Sequence, residues 1–143
     1  MDKQFDAIMG MSDDAKVAYL KAFTRLASAD GNFDDNEKAF IKDLAENYVV
    51  PTERLAEIYA AESDDEIIRE VSKIQNRRAA LELIKELCFL AHADDELTDD
   101  ETLFIGRIGQ AMHVELEKIE QISNWVIDKI ILAEEAKIIF EEV

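Results

Sequence analysis

Two short acidic runs stand out for the chemistry they could do. The first is Asp30-Gly31-Asn32-Phe33-Asp34-Asp35-Asn36-Glu37, and the second is Asp94-Asp95-Glu96-Leu97-Thr98-Asp99-Asp100-Glu101. Carboxylate oxygens at this density are what hard divalent cations take as ligands. The residues within each run divide into two kinds. Asp34 with Glu37, and Thr98 with Glu101, have the spacing of a capping box. The first side chain accepts a hydrogen bond from the N–H three residues on, and the glutamate reaches back to the cap. Capping is the main role expected of these four. Phe33 and Leu97, just before the caps, read as hydrophobic staples. Asp30 and Asp94 fall instead at the predicted C-terminal end of a helix, where the macrodipole disfavours negative charge. One reading is a turn hydrogen bond, with Gly31 or Asp95 in the left-handed conformation. The other is a cation held by Asp30 and Asp94, alone or with Asp34, Asp35, Glu37, Asp99 or Glu101. For either turn taken alone, the turn hydrogen bond is the weightier reading.

Neither run is an EF-hand. That loop requires glycine at its sixth position and glutamate at its twelfth. Counting from Asp30 these are Asp35 and Ile41, and from Asp94 they are Asp99 and Ile105. The histidines, His92 and His113, are read as solvent-facing or capping, and one histidine among carboxylates is a weak zinc signal. Calcium or magnesium suits the carboxylates better. Cys88, the one cysteine, sits in an apolar helical stripe and reads as a buried structural thiol. No nucleophile–base pair, glycine-rich phosphate loop or paired cysteine is present, so an enzyme is not expected.

Charge narrows the partners. The chain carries 33 acidic and 16 basic residues in 143, a net charge of −17. Binding to a nucleic-acid backbone needs a basic surface and is not expected. Anionic membrane surfaces repel such a chain, whereas cations and basic proteins attract it. The N-terminal Met1-Asp2-Lys3-Gln4 lacks the basic-then-apolar pattern of a signal peptide, and no apolar run reaches the length of a membrane span. A cytoplasmic protein without direct membrane insertion is expected.

The elements that position the acidic runs are all helices. Four glycines and one proline leave little room for strands. The spacing predicts a short helix over Lys3 to Met9, then one capped by Ser12 that ends near Asp30-Gly31. The next begins at Asp34, with Phe40, Ile41, Leu44 and Tyr48 inward, and is broken by Val49-Val50-Pro51. A short helix carries Leu55, Ile58 and Tyr59, and Ser63 caps another with Ile67, Ile68, Val71 and Ile74. Asn76 caps a long helix, and Thr98 caps one bearing Leu103, Phe104, Ile105, Ile108 and Met112. From Glu115 onward apolar residues surround the helix, and burial within the chain is the favoured reading there. Its Ile138-Ile139-Phe140 end is the part expected to be exposed. The sum is a single-domain, all-α bundle of seven to eight helices.

A shift of 64 residues aligns the chain with itself, without gaps. Leu26 to Glu37 falls on Leu90 to Glu101, Phe40-Ile41 on Phe104-Ile105, and Lys21, Val50, Glu53 and Ile58 on Lys85, Val114, Glu117 and Ile122. Two helix–turn–helix units, about residues 15–60 and 79–125, are expected to pack around a pseudo-twofold axis.

Ala29-Asp30-Gly31-x-Phe33-Asp34-x-x-Glu37 resembles the signature of the tellurite-resistance TerB family. The same pattern occurs in the N-terminal domain of DjlA-type membrane co-chaperones. Ala93-Asp94-Asp95-x-Leu97-Thr98-x-x-Glu101 repeats it, and the likeness spans roughly Ala15 to Ile131. The resemblance implies a duplicated helical fold and an acidic patch binding divalent metal, carried here by Asp30, Asp34, Glu37, Asp94 and Glu101. It also implies a place in bacterial stress-response or defence assemblies, with protein partners near the inner membrane face. Asp95 departs from the family glycine. The resulting expectation is a non-enzymatic TerB-like module that uses an acidic face for a divalent cation or a basic protein. The alternative is an adaptor docking through the apolar C-terminal helix, and the last choice is a metal-dependent hydrolase. Oligomeric state is open.

Overall fold

Local chemistry starts five of the helices. The computed structural model describes residues 3–28, 34–60, 63–92 and 98–141. The helices are α1 (Lys3–Met9), α2 (Asp13–Ala27), α3 (Asp35–Asn47), α4 (Leu55–Tyr59), α5 (Asp64–Val71), α6 (Arg77–His92), α7 (Asp99–Ala111) and α8 (Leu116–Phe140). A 3-10 turn, Thr52–Arg54, leads into α4, and the described residues include no strand. The chain is thus all-α, at the upper end of the expected helix count. Five expected caps are in place. Ser12 Oγ accepts from Ala15 N–H (3.1 Å), Asp34 Oδ1 from Glu37 N–H (2.8 Å), and Ser63 Oγ from Glu66 N–H (3.3 Å). Asn76 Oδ1 accepts from Ala79 N–H (3.0 Å), and Thr98 Oγ1 from Glu101 N–H (3.1 Å). Each satisfies an N–H that the helix itself leaves unpaired.

The ends of α3 and α7 share a device that the sequence does not advertise. Val49 and His113 have φ of 58° and 62°, in the left-handed region that usually calls for glycine. Val49 N–H donates to Glu46 O (3.1 Å) and Val50 N–H to Ala45 O (2.9 Å). His113 N–H donates to Gln110 O (3.0 Å) and Val114 N–H to Gly109 O (2.8 Å). Both ends are therefore Schellman caps, with Val50 and Val114 buried as the accompanying hydrophobic contact. The two caps stand 64 residues apart.

α2 and α6 form the middle of the bundle. α2 packs on α3, α4, α5 and α6, while α6 also packs on α1, α7 and α8. Every residue of α2 from Ala15 to Thr24 is buried, as are Leu83, Ile84, Leu87 and Cys88 of α6. The inward expectation for Phe40 on α3 fails, and on α7 an apolar neighbour is likewise uncovered. Phe40 is 53 % exposed and Leu103 is 64 % exposed, although Ile41 and Phe104 beside them are buried.

The larger correction concerns α8. Only Ile119 and Val126 of its 25 residues are buried. Ile119 is accommodated because Gly109 of α7 has no side chain, where a methyl group would overlap Ile119 Cδ1. Ile122 and Ile130 are partly buried against the core, and beyond Ile130 the helix leaves the bundle, so the favoured burial is overturned for its outer part. Ile138, Ile139 and Phe140 are exposed as expected.

Val49 tests the C-cap reading. A β-branched residue in the left-handed region is strained by about 1–2 kcal/mol, and Val49 is largely solvent-exposed, so removing its side chain loses little burial. Val49→Gly is expected to raise unfolding stability by up to about 1 kcal/mol, after the extra entropy of glycine in the unfolded chain. Urea denaturation would check this, and a destabilised variant would refute the strain.

Candidate functional site

The acidic runs are approached from their described flanks. Of the five residues assigned to metal binding, Asp30 and Asp94 lie outside the described residues, as do the staples Phe33 and Leu97. The other three lie at helix starts. Asp34 caps α3, and Glu37 is half-buried in the first turn of that helix. Glu101 Oε1 accepts from Thr98 N–H (3.2 Å) and from Thr98 Oγ1 (2.9 Å), completing the capping box of α7. Among the described residues, no group of three or more His, Cys, Asp and Glu side chains is placed to hold a metal ion.

The flanks of the two runs cross over. Asp34 and Glu37 of α3 line a recess of about 340 Å³ together with Leu90, near the end of α6. Arg25, near the end of α2, reaches Asp100 in the first turn of α7 (3.1 Å). The end of α6 thus lies beside the cap of α3, and the end of α2 beside the first turn of α7. Phe23, Phe40 and Ile41 give the recess its apolar wall.

Arg25 was not singled out by sequence reasoning, yet it carries the electrostatics of this end. Its Nε donates to Asp64 Oδ1 (2.6 Å) and its Nη2 to Asp64 Oδ2 (3.2 Å), a bidentate pair, and Nη2 also serves Asp100. The guanidinium stacks on Phe104, 5.1 Å from the ring centroid. Hydrogen bonding to Asp64 raises its pKa further, so it stays charged throughout. Arg107 Nη2 donates to Asp65 Oδ1 (2.6 Å) and holds that carboxyl below its ordinary range. The available signal was position: Arg25 is a cation in the last turn of a helix, five residues before an acidic run.

The remaining candidates have structural surroundings. Cys88 is buried, and desolvation pushes its thiol up to about 11, the property of an inert core residue. His92 is half-buried rather than solvent-facing, and its Nε2 has no hydrogen-bond partner among the described residues. His113 is exposed, and its backbone forms the C-cap of α7.

The other surface of note is the outer half of α8. From Asp128 to Phe140 no residue is buried. Ile131, Leu132, Ile138, Ile139 and Phe140 are between 51 % and 81 % exposed. At 100° per residue, Ile131 and Ile138 form one stripe, and Leu132 and Ile139 form a second about 100° away. No described helix is long and apolar enough to cross a membrane.

No protein-family model, no curated protein and no solved structure matches this chain.

Arg25 provides a test of the acidic end. It is mostly buried and bridges two helices, so its pairs should count for more than surface ones. Arg25→Met is expected to cost roughly 1–3 kcal/mol in urea denaturation. Arg107→Met, whose pair is more exposed, should cost less than about 1 kcal/mol. Equal effects would deny Arg25 its bridging role.

Proposed function

We propose that this chain is a non-enzymatic, TerB-like binding module that captures a protein partner through the outer half of α8. The observation that carries it is the pair of apolar stripes left uncovered from Ile131 to Phe140. Contiguous exposed apolar surface of this kind marks interaction sites in soluble proteins. The stripes suit helix-in-groove recognition, with Ile131, Leu132, Ile138 and Ile139 as anchors repeating every seven residues. Glu134, Glu135 and Lys137 lie between the anchors, a net acidic flank, so a fitting groove is apolar with more basic than acidic edges. An assignment to bacterial stress response or defence rests on the resemblance of the two acidic motifs alone. The pseudo-twofold relation of the two units rests on the 64-residue self-alignment.

Truncation after Ala133 removes Ile138, Ile139 and Phe140 without touching a buried residue. It is expected to leave unfolding stability within about 0.5 kcal/mol. Partner capture should be abolished, and Ile138→Asp in the full chain should abolish it too. A truncated chain that unfolds would make this stretch core and place the docking site elsewhere.

A second reading is a divalent cation, calcium or magnesium before zinc, at Asp30, Asp34, Glu37, Asp94 and Glu101. It is favoured by the shared recess and the Arg25–Asp100 pair, which bring the described flanks of both runs together. The runs hold ten carboxylates, and such repulsion calls for counter-ions. Binding to the folded state would stabilise it by about 2.7 kcal/mol at one hundred times Kd. Thermal denaturation with each ion against chelator should therefore show a raised Tm. Asp30→Asn with Asp94→Asn should remove that rise, and no shift with any ion would reject the cation.

A further inference from the structure

The 64-residue shift lays a closed ion cluster in the first unit over an open groove in the second. In the cluster, Lys21 of α2 is 3 % exposed and pairs with Glu57 (3.3 Å) and Glu70 (2.9 Å). Arg54 pairs with Asp14 (2.7 Å) and with Glu57 (3.1 Å). Two cations there meet three carboxylates. In the second unit the cations recur as Lys85 and Lys118, but Asp14 is replaced by Arg78 and Glu57 by Gln121. These residues line a groove of about 350 Å³ between α6 and α8, with Leu81, Ile122 and Trp125 as its apolar wall.

The charge balance of the groove is reversed relative to the cluster. Its one lining carboxylate, Glu82, is buried and shared between Arg78 (2.8 Å) and Lys85 (2.5 Å). Glu86 adds a weaker pair to Lys85 (3.5 Å). Lys118 Nζ donates to the neutral Gln121 Oε1 (2.9 Å) and has no carboxylate at ion-pair distance among the described residues. The same holds for Lys129, whose ammonium lies 5.0 Å from the Trp125 ring centroid and 5.8 Å from that of Phe89. Residues 118, 122, 125 and 129 share one face of α8 by helical spacing. In a chain with twice as many acids as bases, two such lysines flank the sole tryptophan.

We propose that this groove binds a small organic anion. Its carboxylate, sulfonate or phosphate head is held between Lys118 and Arg78, which line the groove, with Lys129 beside Trp125 adding positive charge from outside it. Its aromatic or branched apolar body rests on Trp125 and Ile122. The volume lies at the small end of ligand pockets and fits a body of a few rings at most. The apolar part is required because the field of a net −17 protein opposes a bare anion, and short-range contact must offset it.

The probe is 8-anilinonaphthalene-1-sulfonate, read by energy transfer from Trp125 in the full chain. Saturable binding to one site is expected. The neutral analogue N-phenyl-1-naphthylamine should bind about tenfold more weakly, and inorganic sulfate should not displace the probe. Lys118→Gln with Lys129→Gln should weaken the probe about tenfold and leave the urea midpoint unchanged, since neither lysine leaves a carboxylate unpaired. Lys118→Arg should keep binding. Ile138→Asp should leave probe binding intact, which separates this groove from the end of α8. Equal affinity for the neutral analogue, unchanged binding in the double lysine variant, or loss of binding with Ile138→Asp would overturn the proposal.

Discussion

The burial of α2 on all sides is the constraint from which the rest of the bundle follows. A helix so enclosed takes Lys21 into the interior, and a buried ammonium is tolerated only with anions in contact. Glu57 from α4 and Glu70 from α5 meet it, and α4 and α5 are thereby fixed against α2. Arg54 extends the chain of charges by lowering Glu57 below its ordinary range and tying down Asp14 at the start of α2. Thr24, also buried, closes its hydroxyl onto Leu20 O within the helix (3.1 Å). The segment after the Val49 reversal is thus held by ionic contacts as well as apolar ones. This accounts for an α4 of only five residues, too short to be stable alone.

The helix starts were legible in the sequence because capping is local. A serine, aspartate, asparagine or threonine and the N–H three residues on contain the whole interaction, and all five expected caps formed. The C-caps of α3 and α7 were not legible in the same way. Their usual marker is glycine, and here valine and histidine take the left-handed position. What gives them away is the buried Val50 and Val114 one residue on, a contact that composition does not reveal.

Tertiary cover is where the internal repeat misleads. Phe40 and Phe104 occupy matching positions, but Phe104 is buried and Phe40 is half-exposed. α5 packs on α7 and Arg25 lies over the Phe104 ring, whereas α1 packs on α6 and leaves α3 without equivalent cover. The same logic separates Lys21 from Lys85: matching residues, one sealed among carboxylates and one beside a groove. The first difference is not written in a 64-residue comparison, because it depends on elements outside the matched stretch; the second is written there only in part, as Arg78 in the place of Asp14 and Gln121 in that of Glu57. The acidic runs were legible as motifs, and their arginine counter-charge only as a cation in a last helical turn. The exposure of α8 was misread for a physical reason. Periodicity identifies apolar faces but does not say whether a second surface exists to cover them.

The length of α8 has a consequence for how its outer half holds its shape. The ten residues past Ile130, extending about 15 Å beyond the bundle, would form a helix poorly if isolated, since the first turn is the unfavourable step. Here that step is already taken by the packed half, where Ile119 and Val126 are anchored, and the remaining turns only propagate. Their end is not favoured electrostatically, because Lys137 is the one base in the last turn and Glu141 follows it. The outer half of α8 therefore owes its helicity to a continuous hydrogen-bond ladder from the anchored half, and one interruption near Ile130 would leave it to melt on its own.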